Sequence, residues 1–134
     1  MSQYFKVAGR SVWNPATTAA QLFYRTAEAM TVVAGRPSGI LDLEFDEYDI
    51  GLPAYRAFVE ELTRRYLTST HPVIVELVGG FLPHAVALLR AAGGDLPLLD
   101  QVAAGQSLPR GVSAAEKARR VLASAADLAP SMAA

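Results

Sequence analysis

A mainly α-helical α+β fold, about five helices packed as a small bundle with an N-terminal β-hairpin, is predicted by three observations. Two short runs rich in aromatic and β-branched residues flank a glycine near the N-terminus. Apolar residues at helical spacing, with proline at the starts and glycine at the ends, recur along the rest of the chain. Hydrophobic residues make up 51% of the 134 residues and charged residues 19%, which excludes disorder as an overall description and supplies enough apolar surface for one core. The length suits a single domain, expected over residues 1–128 with a loose C-terminal tail over 129–134.

Tyr4-Phe5-Lys6-Val7 and Ser11-Val12-Trp13 read as the two strands of the hairpin, with Gly9 taking a turn conformation that other residues avoid. Asn14-Pro15 places an N-cap acceptor before a proline suited to a first helical position, so the first helix is expected to start there. Ala19, Leu22, Phe23, Thr26, Ala27, Met30 and Val33 form its apolar face, opposite Thr17, Gln21, Arg25 and Glu28, and Gly35 and Pro37 close it. Leu41, Leu43 and Phe45 then alternate with Asp42, Glu44 and Asp46, the period of a half-exposed strand, so Ile40 to Ile50 reads as a third strand or an extended loop.

A second helix over Pro53–Thr68 places Tyr55, Phe58, Val59, Leu62 and Tyr66 on one side and forms exposed Glu60–Arg64 and Glu61–Arg65 pairs four apart. A third helix from Pro72 to about Ala92, closed by Gly93-Gly94, is apolar enough to suggest a membrane span. Glu76, Gly79-Gly80, Pro83 and His84 interrupt it, and a central core helix kinked near Pro83 is the better reading. A short fourth helix covers about Pro97 to Ala104. Ser113-Ala114-Ala115-Glu116 has capping-box form ahead of a last helix reaching about Leu128, whose shallow face of Ala118, Val121, Leu122, Ala125 and Leu128 is expected to dock weakly or complete an interface.

The composition narrows the function classes. A net charge of −1 supplies no basic field for nucleic acid or an anionic membrane, and neither is expected as a partner. No cysteine is present, which removes disulfides, thiolate metal sites and cysteine nucleophiles together. Met1 to Arg10 lacks the apolar run of a secretory signal, so the cytoplasm is the expected compartment. The two histidines, His71 and His84, form no H-E-x-x-H pattern, and P-loop, Gly-x-Gly-x-x-Gly and Gly-x-Ser-x-Gly signatures are missing, so no cofactor is implied. Asp42, Glu44, Asp46, Glu47 and Asp49 evoke a calcium loop, but Glu47 stands at the glycine position and Pro53 where the bidentate glutamate belongs. No metal site is assigned.

Two functional readings follow. The leading one is a non-catalytic cytoplasmic protein-interaction or accessory module, of immunity type or self-associating. It would bind through the Gly/Ala-rich faces of the third and last helices, or through the acidic segment Asp42, Glu44, Asp46, Glu47 and Asp49. Arg110, Lys117, Arg119 and Arg120 make the C-terminal region basic, and the two charged regions are expected to meet within one chain or between protomers, with Arg119 and Arg120 as the contact residues.

The alternative is a small cofactor-independent enzyme performing acid/base isomerisation or cyclisation of an apolar small molecule. Glu76, Gly80, Pro83, Ala87 and Arg90 share a narrow stripe on the third helix, with His84 at its edge. Glu76 would be the acid or base, His84 its partner, Arg90 a clamp for substrate charge, and Trp13 and Tyr66 pocket walls. That reading requires Glu76 and His84 to face one concave apolar pocket. The same stripe is otherwise an exposed face, or a line where another helix packs over glycine, and an exposed apolar patch beside it favours partner binding.

Ser2-Gln3-Tyr4-Phe5, Trp13-Asn14-Pro15, Leu22-Phe23, Pro37-Ser38-Gly39-Ile40 and the helix reaching His71-Pro72 resemble a family of short, uncharacterised proteins from high-GC bacteria, over roughly residues 1–95. Ten arginines against two lysines, with abundant alanine, fit such a genome. The family being one of unknown function, the resemblance implies a stand-alone bacterial domain and carries over no catalytic residue, substrate or cofactor.

Overall fold

In the N-terminal hairpin, β1 (Tyr4–Val7) and β2 (Arg10–Trp13) pair antiparallel around Ala8 and Gly9. Both turn residues have positive φ (50° and 79°), the geometry that matches the twist of the flanking strands. The computed structural model describes residues 1–108 and 114–132; Arg110 and Ser113, and with Ser113 the expected capping box, lie outside the described residues.

The segment 40–50 forms a second hairpin rather than one strand, with β3 (Ile40–Glu44) antiparallel to β4 (Glu47–Ile50). Its turn needs positive φ at Glu44, Phe45 and Asp46 (64°, 48° and 65°), a conformation usually signalled by Asn or Gly, so the sequence conceals it. Because β4 also pairs parallel with β1, one four-stranded sheet results, in the order β2-β1-β4-β3.

The register places Asp42 opposite the buried Tyr48 and Leu41 opposite Asp49. Cross-strand partners share a face. The carboxylate therefore lies on the helix-facing side of the edge strand, and Leu41 is 60% exposed on the other. Ile40, paired with Ile50, is the only buried residue of β3.

α1 (Thr17–Ala34) starts after Ala16, two residues later than Asn14-Pro15 suggests. Residues 14–16 remain extended because they pair with the N-terminus: the Gln3 N–H donates to Pro15 O at 3.0 Å, and the Thr17 N–H to Met1 O at 3.1 Å. Phe23, Ala27 and Met30 are buried as their spacing predicts, together with Ala20 and Ala34, whereas Ala19 and Leu22 of the expected face point outward.

After α1, Ser38 is buried; its hydroxyl donates to Glu28 Oε1 at 2.7 Å and accepts from the Ile40 N–H at 3.2 Å, which fixes the entry to β3. Gly39 follows with φ +76°, and a Cβ there would sit 2.5 Å from the Tyr55 backbone nitrogen, so the Pro37–Ile40 motif is a steric requirement of the junction.

α2 (Leu52–Thr68) buries Tyr55, Phe58, Val59, Leu62 and Tyr66, and its exposed face carries the expected pairs, Arg64–Glu60 at 3.2 Å and Arg65–Glu61 at 3.0 Å. α3 (Pro72–Ala91), capped by His71 Nδ1 accepting from the Val73 N–H, runs on through Pro83. It is long and apolar enough to cross a membrane by length and composition, yet half of its most apolar stretch is buried in the fold, where it packs between α2 and α5. It is a core helix.

α4 (Pro97–Ala103) and α5 (Ala115–Leu128) complete the bundle. α5 docks against both α3 and α4, more firmly than its shallow face suggests, because small side chains allow close approach and two of its basic residues tie it down. Lys117 Nζ donates to Ser69 O just past the end of α2 at 3.1 Å, and Arg119 Nε to Ala103 O at the end of α4 at 3.1 Å. The chain then forms a 3₁₀ turn, Ala129–Met132, that buries Met132, where a loose end is expected from sequence.

The sheet's inner face carries an aromatic ladder. Tyr24, Tyr48, Phe5 and Trp13 follow one another with ring centroids 4.9, 4.6 and 5.0 Å apart, Phe23 meets both Phe5 and Trp13 edge-on, and Phe81 of α3 stacks on Phe23. The ladder locks β1, β2, β4, α1 and α3 together, and its Trp13 end opens onto the surface described next.

Candidate functional site

α1 and α3 are both anchored to the aromatic ladder through Phe23 and Phe81, and a groove of about 750 Å³ opens along the line between them. Trp13, Phe23, Met30 and Phe81 lie at its base, and Leu22 and Leu77 form opposite walls. These two leucines are 67% and 62% exposed, unusually open for large apolar side chains facing a common hollow. On α3 the wall belongs to one stripe, Val73, Leu77, Gly80 and His84, spaced at four, three and four residues. Among the described residues, Arg25 and His84 are the only ionisable side chains lining the groove, and no side-chain carboxylate lines it.

The residues of the acid/base alternative occupy three separate depressions. His84 lines the α1/α3 groove with Trp13. Glu76 lies on the other side of Gly80, in a polar hollow shared with Tyr66 and Arg120. Arg90 lines a third, beside Arg10 and Ala126, and makes a 3.5 Å ion pair with Asp100. The two expected walls are likewise divided, Trp13 with His84 and Tyr66 with Glu76. The small-residue stripe between them is where α5 packs: Val121 shares the Glu76 hollow with Gly79 and Pro83, and Ala125 shares the Arg90 hollow with Ala87.

The acidic segment is ordered as the β3–β4 hairpin. Asp42, Glu44, Asp46 and Glu47 border a small hollow over Tyr24 and Tyr48, where burial, then neighbouring carboxylates, raise both phenols above their ordinary range. Gln3 ties the hairpin to the N-terminus, accepting from the Tyr48 hydroxyl at 2.8 Å and donating to Asp46 at 3.3 Å. Lys6 pairs with Glu47 at 2.6 Å, and Asp49 sits opposite Lys6 and Leu41 on the sheet's outer face.

Among the described residues, Lys117, Arg119 and Arg120 make no hydrogen bond or ion pair with this hairpin. Arg119 is committed to Ala103, and Arg120 pairs with Glu116 at 3.7 Å. Helix-end carbonyls and an i,i+4 neighbour were closer partners than a sheet on the other side of the bundle. Among the described residues no three His, Asp or Glu side chains converge as metal ligands would.

Sequence reasoning missed the groove because it assigned Leu22 to the core. The available signal was the mirror one on α3, where Val73 and Leu77 stand four apart in a helix whose other apolar positions already suffice for burial.

Fold and groove together define a small α+β domain in which helices and a sheet share one core and leave one apolar trough open. The matching family model is described as a family of unknown function, DUF6086, and spans residues 1–134; the chain belongs to that family. The match extends through the last helix, beyond the first 95 or so residues that carry the sequence resemblance. Neither the curated proteins nor the solved structures contain a match.

Proposed function

We propose that this protein is a non-catalytic protein-interaction module of the cytoplasm and that the α1/α3 groove is its docking surface. The observation that carries the reading is the pair Leu22 and Leu77, about two-thirds exposed on opposite walls of one apolar trough. Covering such surface returns about 25 cal/mol for each Å² removed from water, and apolar patches concentrated in this way mark interaction sites. The separation of Glu76, His84 and Arg90 into three hollows further favours binding over acid/base chemistry, which needs its groups around one reacting atom. An immunity-type or accessory role beside a larger protein is one form this docking takes.

A second reading has its own observation. A hollow of about 750 Å³ falls within the range of small-molecule sites, so an apolar ligand is the competing occupant.

Native mass spectrometry of the protein isolated from its own cells separates the two. A protein-sized mass increment that disappears in both Leu22→Glu and Leu77→Glu is the expected result. An increment of a few hundred daltons in its place, or a protein complex indifferent to both substitutions, overturns the proposal.

A further inference from the structure

Resting on the interaction-module reading, we infer that the groove's partner is an acidic amphipathic α-helix, which seats its apolar stripe between α1 and α3 and directs carboxylates to Arg25 and His84. Shape is the first argument. The α1 wall runs from Ala19 to Met30, eleven residue steps or about 16 Å at 1.5 Å per residue, and the α3 lining from Leu77 to His84, with Val73 exposed one turn before it. Residues repeating at three and four along both walls match the i, i+3, i+4, i+7 anchors by which a helix enters a groove. The small residues Ala19, Ala29 and Gly80 interrupt the large ones and leave room for a backbone to approach.

Openness is the second argument. A small ligand typically has 70–90% of its own surface buried by its site. The trough has Leu22 and Leu77 as walls, both open to solvent, and Leu128, Ser131 and Met132 in its lining, which leaves an outer side free for the polar face of a bound helix.

Charge is the third. Arg25 brings a positive charge and His84 an imidazole N–H donor to the lining, and among the described residues neither makes an ion pair. Arg25 also borders the hollow shared by Glu28 of α1 and Asp42, Glu44, Asp46 and Glu47 of the acidic hairpin, and none of these carboxylates pairs with it. A second copy of this chain docking face to face would bring Arg25 and His84 against themselves, so symmetric self-association is disfavoured. A partner carrying Asp or Glu beside its apolar stripe satisfies both groups.

Trp13 is the chain's single tryptophan and lines the groove, so its fluorescence reports occupancy directly. The probe is a pair of tryptophan-free 16-residue helical peptides with identical leucine anchors at i, i+3, i+7 and i+11, one with glutamate and one with lysine at the flanking positions. The anchors are first optimised by display selection against the whole protein. The glutamate peptide should shift Trp13 emission saturably and bind about three- to tenfold more tightly than the lysine peptide, a ratio suited to part-exposed ion pairs. Added salt should reduce that ratio, and Arg25→Glu should reverse it.

Equal affinity, a preference for lysine, or no effect of Arg25→Glu overturns the charge inference, and selection that enriches no helical binder overturns the helix. Binding without charge preference that Leu77→Glu abolishes leaves the docking reading standing. Binding that Leu77→Glu leaves intact removes the groove itself. Leu77 and Arg25 are exposed, and an unchanged melting curve shows that either variant is folded.

Discussion

The two flanks of α3 are built from similar material and meet different fates. Along one, Gly79, Pro83 and Ala87 run beneath α5, where Val121 and Ala125 close over them. Along the other, Val73, Leu77, Gly80 and His84 face outward, and α1 stands far enough away to leave a trough. On the closed flank Pro83 and Ala87 of α3 and Val121 and Ala125 of α5 are all buried, because short side chains let the two helices approach closely. The open flank pairs Leu77 with Leu22 across a gap that neither fills. Apolar content alone therefore does not say which side of a helix is core; the residue that faces it does.

That contrast breaks most sharply at Val121, which is 3% exposed on the closed flank. Val121→Asp places an unpaired charge in the seam and should lower unfolding free energy by at least about 3 kcal/mol, measured by urea denaturation. A loss below about 1 kcal/mol would show that α5 is only loosely attached and that the two flanks are alike.

A smaller effect is expected at the buried side of α3, where the Tyr55 hydroxyl donates to Ala85 O at 2.7 Å and full burial pushes the phenol well above its ordinary range. Tyr55→Phe leaves the ring in place but removes the donor, and should cost about 1–2 kcal/mol with no titration of the difference at neutral pH.

The exposed face of α2 supplies a polar reference for both flanks. Burial raises the Glu61 carboxyl, and hydrogen bonds from Arg65 and Arg64 more than reverse this, holding it below its ordinary value. A depressed folded-state pKa means that the stabilisation is complete above the unfolded-chain value and is lost as pH falls through the folded one. Glu61→Gln should therefore cost about 0.5–1 kcal/mol at neutral pH, with the gap between variant and wild type closing in acid. A gap that persists in acid would assign the effect to packing.

The smallest effect on stability belongs to the open flank. Leu22→Glu and Leu77→Glu should each change unfolding free energy by less than about 0.5 kcal/mol while abolishing partner binding. If either costs 2 kcal/mol or more, the trough is part of the core and the comparison fails.

Much of the fold was legible. The N-terminal hairpin, the second helix with its buried face, the third as a core helix, and the Glu–Arg pairs follow from period, proline and glycine placement and four-residue spacing, which are local properties. The second hairpin was not legible, because Glu44-Phe45-Asp46 adopts three positive φ values that its residue types disfavour. Nor was the site: Glu76 and His84 lie about 80° apart on one helix, so a wheel cannot tell that Gly80 is the ridge dividing their hollows.

The sequence by itself determined the helical class, the extents of most elements, the single aromatic-rich start and the absence of thiol chemistry. Only the tertiary structure decided that Leu22 is a wall and not core, that Asp42 lies on the helix-facing side of the edge strand while Leu41 faces out, and that Arg119 caps α4. The reason is physical. Periodicity records which residues can share a face, whereas burial depends on which other element covers that face, a property of contacts between segments far apart in the chain.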